Sequence, residues 1–129
     1  MLLAALVPVM LMFIALAWDA SGYLRAAHRA ENIAGEAARA AGQAIDLPAA
    51  VRGDEIVVDP HRAEQAAAAY LADVGAIADG AVIGDVDVSD DRRRVTVTVH
   101  ITYRPLLLVP WRSEVGQVSG RATAWLVDQ

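Results

Sequence analysis

The chain contains no cysteine, and all eleven of its basic residues are arginine. Without thiols, a disulfide framework, thiolate metal sites and a cysteine nucleophile are excluded. No serine sits in a nucleophile elbow, no glycine-rich phosphate loop is present, and no helix carries a histidine pair. An enzyme is therefore not expected, and neither is a cofactor. The net charge is −5, and the one basic cluster is Arg92, Arg93 and Arg94. That balance argues against nucleic acid as a partner. Repeats and low-complexity tracts are missing too, so 129 residues amount to one domain and what precedes it.

The most consequential absence is charge at the front of the chain. Residues 1–18 carry no ionisable side chain, and the first is Asp19. An α-helix of that length rises ~27 Å, close to the ~30 Å of a hydrocarbon core. Nine of the eighteen are Leu, Ile, Val or Phe. At a helix centre they favour insertion by about 3–5 kcal/mol in sum. Pro8 is tolerated in lipid where neighbouring groups satisfy the freed carbonyl. Trp18 and Tyr23 fall where an aromatic belt meets headgroups. The expectation is a transmembrane helix over residues 1–20. The rival reading is a cleaved signal sequence, with Ala15, Leu16 and Ala17 as a small-x-small site. The missing basic n-region speaks against the signal and leaves the anchor without an orienting charge ahead of it.

Past Trp18 the helical period continues as an amphipathic extension over residues 21–47. Tyr23, Leu24, Ala27, Ala30, Ala34, Ala37, Ala38, Ala41 and Ile45 form one apolar stripe. Arg25, His28, Arg29, Asn32, Glu36, Arg39 and Gln43 fall largely on the other side. The stripe is mostly alanine, with Gly35 and Gly42 a heptad apart, so it admits a close backbone. Ser21 and Gly22 are a candidate kink, and Leu47 with Pro48 a helix stop. Two occupants of the stripe are open: the chain's own globular part or a neighbouring subunit.

Residues 48–129 read as an α+β domain. Residues 55–58 are a short strand candidate. Asp59 is a good N-cap, Pro60 a good first helical residue, and Gly75 a terminator. Ala63, Ala66, Ala67, Tyr70, Leu71 and Val74 supply that helix's apolar face. Residues 82–88 and 95–104 alternate as strands joined by a turn at Ser89, Asp90 and Asp91. A last strand covers residues 116–127, with Gly120 as a candidate bulge. The fold class is α+β, pilin-like. A long N-terminal helix, transmembrane then amphipathic, leads into a small antiparallel sheet with one packed helix.

Three constellations have bland readings. His28, His61 and His100 are spread over separate elements and read as surface histidines. Asp85, Asp87, Ser89 and Asp91 have the alternate-oxygen spacing of a calcium loop. They lack its sixth-position glycine and twelfth-position glutamate, so an acidic hairpin turn is the simpler reading. Arg92, Arg93 and Arg94 are expected to balance Asp90 and Asp91. The least ordinary stretch is residues 105–111, PLLLVPW. Either it folds under the sheet edge, or it is an exposed apolar docking surface for a partner or the membrane.

The stretch LVPVMLMFIALAWDASGYLRAAHRAENIAGEAARAAGQAID resembles the N-terminal region of TadE/TadG-like proteins. These are pseudopilin-type components of tight-adherence (Flp) pilus assembly, and the likeness is closest to the actinobacterial type. It rests on the apolar span with Leu6, Val7 and Pro8, then Asp19, Gly22 and the Arg/Ala-rich extension. Beyond residue 46 the likeness is one of architecture. Such a resemblance implies a single-pass membrane protein of the cell surface, acting as a minor pilin or assembly factor with its C-terminal domain extracytoplasmic. Its implied partners are the lipid bilayer and other Tad pilus-assembly proteins or pilins, or further copies of itself. Partner packing is expected through Ala27, Ala34, Ala38, Ala41, Leu106, Leu107, Leu108 and Trp111. The chain opens directly on apolar residues, so a leader upstream or an unprocessed member is expected, and no processing residue is assigned. Arg25 and Arg29 favour a cytoplasmic C-terminus by the positive-inside rule, against the family expectation. The other functions in play are a secreted or anchored ligand-binding module without catalysis, and an accessory of a secretion machine.

Overall fold

The computed structural model describes residues 2–77, 80–105 and 116–126. Helix α1 (Leu2–Gly42) is followed by a single turn, α2 (Leu47–Val51), and by α3 (Pro60–Asp73). Strands β1 (Ala81–Val88), β2 (Arg94–Tyr103) and β3 (Gly116–Trp125) form an antiparallel sheet in the order β1-β2-β3. The expected α+β arrangement is present, a long apolar helix leading into a three-stranded sheet with a packed helix.

Helix α1 continues through Pro8, Ser21 and Gly22 over 41 residues, roughly 60 Å at ~1.5 Å per residue. No break interrupts the helix at the candidate kink. Ser21 returns its hydroxyl to the Ala17 carbonyl at 2.9 Å, which keeps its polar group within the helix. The helix stops at Gly42, earlier than Leu47 and Pro48 suggested. The chain there leaves to pair with a neighbour. The Asp46 amide donates to the Val57 carbonyl, and the Asp59 amide to the Ala44 carbonyl, both at 2.9 Å. Residues 55–58 consequently make no strand; their ladder is the isolated bridge Ile45↔Val58. The Val58 amide is instead taken by the Arg92 carbonyl at 2.9 Å, on the hairpin tip.

Asp59 caps α3 as its sequence implies, accepting from the amides of His61 and Arg62 at 3.0 and 3.3 Å. Ala63, Ala67 and Leu71 are buried, whereas Val74, at the C-cap, is exposed. Gly75 follows with a φ of 65°, the left-handed turn that glycine adopts without strain.

In β2, Val95, Val97, Val99 and Ile101 are buried, and the intervening threonines look outward. Strand β1 reaches the same core by a different route. Its pairing with β2 slips between Ile83 and Asp85, leaving Gly84 as the extra residue of a bulge. One extra residue inverts the parity of the strand. Ile83 and, after the bulge, Val86 and Val88 therefore all pack on the core. A β-carbon at Gly84 would stand 2.2 Å from His100 Nε2, so the imidazole lies where only glycine leaves room.

The bulge assigned to Gly120 does not exist. Its pairing with Val99 is part of an unbroken register between β2 and β3. Gly120 is instead where the sheet touches the helix. A β-carbon there would lie 2.2 Å from the Ala30 carbonyl carbon and 2.3 Å from the Glu31 nitrogen. Farther along, built β-carbons at Gly35 and Gly42 would meet those of Ala122 and Ala124 at 4.0 and 3.4 Å. Helix α1 thus runs parallel to β3, backbone against backbone. Gly120→Ala should lower stability by ~1–3 kcal/mol or more, since the clash is with backbone that cannot rotate away. Thermal melting in detergent measures this, and an unchanged midpoint would mean the helix and sheet are not in such close contact.

Candidate functional site

The chain's surface chemistry is organised by the two environments of α1. Over residues 3–18 every side chain is exposed except Ala15, which is half-buried. Leu3 and Phe13 are 80% and 68% exposed, values that a folded domain in water does not sustain over an entire helix. Over residues 30–41 the same helix is a core element, with Ala30, Ala34, Ala37, Ala38 and Ala41 at 0–1% exposure. Of the residues expected to pack on a partner, Ala34, Ala38 and Ala41 are therefore covered by the chain's own fold. Ala27 lies at the rim and is half-buried. Leu106, Leu107, Leu108 and Trp111 lie outside the described residues.

The change of environment falls at Asp19, a buried residue among exposed neighbours. Tyr103, the last residue of β2, donates its hydroxyl to the Asp19 carbonyl at 3.0 Å. The Tyr103 ring stands edge-on to Tyr23, with centroids 6.3 Å apart at 83°. Gly22 makes this possible, because a β-carbon there would sit 2.7 Å from the Tyr103 oxygen. This clamp was not evident in the chain itself. Its single signal was a glycine one turn past the apolar run, and its partner lies 84 positions away.

At the opposite end of the sheet the hairpin tip carries ion pairs as well as backbone bonds. Arg92 faces Asp46 at 3.8 Å and Arg93 faces Glu55 at 3.5 Å. Besides the expected balance, in which the charge of Arg94 acts on Asp91, there are pairs reaching across to the α1–α3 connection. The Arg92 carbonyl accepts from the Val58 amide of that connection, and the Arg93 carbonyl from the Leu126 amide, 2.9 and 2.8 Å away. Arg94 stacks on Trp125 with its Cζ 4.8 Å from the ring centroid. Asp91 accepts from the Ser89 hydroxyl and from the Arg93 amide. These hydrogen bonds, Ser89 first, then Arg93, with the charge of Arg94 adding to them, hold the Asp91 carboxyl below its ordinary value of 3.8.

The oxygens of the calcium-like spacing are not gathered. Asp85 and Asp87 lie opposite Thr98 and Thr96 along the strand, and Asp91 is engaged within the turn. His28 approaches Glu31 at 3.7 Å, His61 is exposed on α3, and His100 lies over Gly84. Among the described residues no group of three or more His, Asp or Glu is placed to hold a metal ion. The outer face of the sheet carries a shallow cavity of about 310 Å³, lined by Asp87, Ser89, Arg94, Thr96, Thr123 and Trp125. Thr96 and Thr123 share a hydrogen bond at 2.9 Å across its floor.

Taken as a class, this is an α+β protein whose apolar helix is long enough to cross a membrane and whose second half is the core of a small sheet domain. Residues 1–44 match the family described as putative Flp pilus-assembly TadE/G-like. Over that N-terminal third the chain is similar to the TadE/G-like family, and the match together with the apolar helix fits a membrane-anchored component of pilus assembly. The matched family is one of pilus assembly and not an enzyme family. No curated protein and no solved structure matches the chain.

The Asp91 turn gives a pH test with a definite sign. A carboxyl depressed in the folded state stabilises above its unfolded value, and the contribution is lost as pH falls through the lower folded value. Asp91→Asn should therefore melt below the parent near neutral pH, and the two curves should converge in acid below 3.8. A difference that persists unchanged into acid would show that the turn does not depend on the carboxylate.

Proposed function

We propose that the chain is a membrane-anchored, non-catalytic subunit of a Tad-type pilus or secretion system, minor pilin-like or pseudopilin-like. Its C-terminal domain, residues 48–129, lies outside the cytoplasmic membrane. The observation that carries this reading is the division of α1. One half exposes an unbroken apolar surface that only lipid or other lipid-embedded helices can cover. The other half is consumed by the chain's own sheet.

That division moves the partner contacts from where the alanine stripe first suggested. Ala34, Ala38 and Ala41 serve the intramolecular seam. Contacts with other pilus components or a second copy then use the lipid-facing half of α1, where Ala4, Ala5, Ala15 and Ala17 allow close helix approach. The polar outer faces of α1 and the sheet add contacts above the membrane. Ala27, at the rim, and residues 106–111 remain candidates beside them.

A second reading, an anchored ligand-binding module, draws on the cavity around Arg94 and Trp125. The two readings separate by variant. Trp125→Ala should leave pilus assembly intact in the first and abolish the protein's role in the second.

The anchoring reading predicts that the full chain stays in the membrane pellet after alkaline extraction. A C-terminal tag should be cleaved by protease added to intact spheroplasts, and pilin subunits should co-purify in mild detergent. Recovery of the bulk of the protein in the medium, lacking its first seventeen residues, would overturn it. Replacing Ala38 by Leu should now lower the melting temperature, by ~1–3 kcal/mol of overpacking, before it affects any partner. Loss of co-purification at an unchanged melting temperature would return the stripe to the interface.

A further inference from the structure

The contact between Tyr103 and the helix fixes the height of the domain above the bilayer. Asp19 is the first ionisable residue, so lipid-facing chain ends there. Tyr103 already binds the Asp19 carbonyl, and its ring fills the space over Gly22. No length of free helix separates the apolar half from the sheet. The β2–β3 end, where Tyr103 pairs with Gly116 and Thr102 with Gln117, is therefore level with the exit of the helix from lipid.

The side chains at this level suit a headgroup layer. Trp18 and Tyr23 are exposed, 63% and 53%, and amphipathic rings favour the interface. Arg25 and Arg104 are exposed there as well. Among the described residues neither has a carboxylate partner. At the far end of the sheet, by contrast, Arg52, Arg92 and Arg93 face Asp54, Asp46 and Glu55. Unpaired guanidinium groups beside interfacial aromatics are the chemistry that recognises phosphate oxygens.

We infer that the β2–β3 end of the sheet is a membrane-contact surface, seated on the headgroups of an anionic phospholipid bilayer. The domain stands directly on the membrane and not on a stalk. This rests on the reading of the apolar half of α1 as lipid-embedded. The opposite tip, at Asp90, then projects roughly 35 Å outward, the rise of a ten-residue strand at ~3.3 Å per residue.

The chain has no native cysteine, so single spin labels report depth without background. Met12→Cys, Thr102→Cys, Gln117→Cys and Asp90→Cys are placed one at a time in the full chain. Each is reconstituted in vesicles of phosphatidylcholine with phosphatidylglycerol, and in phosphatidylcholine alone. In the anionic vesicles the labels at 102 and 117 should be shielded from a water-soluble nickel chelate several-fold more than the label at 90. Adding Arg25→Gln and Arg104→Gln should restore nickel access at 102 in the anionic vesicles and change little in neutral ones. Labels at 102 and 117 as accessible as that at 90, with Met12 in lipid, would overturn the seat and leave the anchor standing. Shielding unaffected by the arginine changes would overturn the role of anionic lipid. A label at Met12 open to nickel would remove the anchoring itself.

Discussion

The structure depends on how closely one helix can lie against one sheet. At Gly120 the distance is set by backbone meeting backbone at Ala30 and Glu31. Farther along both elements the contact is between the smallest residues, Gly35 with Ala122 and Gly42 with Ala124. A sheet of three strands and a fourteen-residue helix cannot enclose a thick layer of large side chains. The core is accordingly alanine on the helix side and valine on β2. Alanine buries little area, so its contribution comes from admitting the valines to dense packing. A side chain at Gly120 would have to push helix and sheet apart there.

The same helix meets a second solvent. Over residues 3–18 its side chains are exposed, Ala15 less so than the rest, and in the proposed anchoring their transfer energy places them in lipid. Because the helix is continuous, the two environments are mechanically joined, and Tyr103 closes the joint at Asp19. A domain fixed this way cannot swivel about a linker. In the assembly role proposed above that is an advantage, since the direction of the apolar half of the helix then dictates the direction of the sheet.

The far end is held differently. The hairpin tip is bound to the α1–α3 connection through the Val58 amide and the Arg92 carbonyl, and through surface ion pairs worth at most ~1 kcal/mol each. The backbone bonds therefore fix the tip, and the arginines trim its charge. Trp125, held by Arg94, leaves the outer face of the sheet polar and open.

Much of this was legible in the chain. The uncharged run marks a helix long and apolar enough to cross a membrane, and the alternation of Val and Thr marks β2. Asp59 and Pro60 fix the start of α3. Each is a property of neighbours along the sequence. What tertiary structure decided is of another kind. Residues 55–58 have strand composition but spend their amides on α1's end and the hairpin tip. Gly84 and Gly120 look alike in sequence, yet one is a bulge and the other a helix contact. The alanine stripe announced a close partner without naming it, and the sheet, some 80 to 90 residues on, is what lies there. Periodicity and propensity are sums over adjacent residues, so they are settled locally. A steric contact at 2–4 Å depends on which distant segment arrives, and only the folded chain brings the two together.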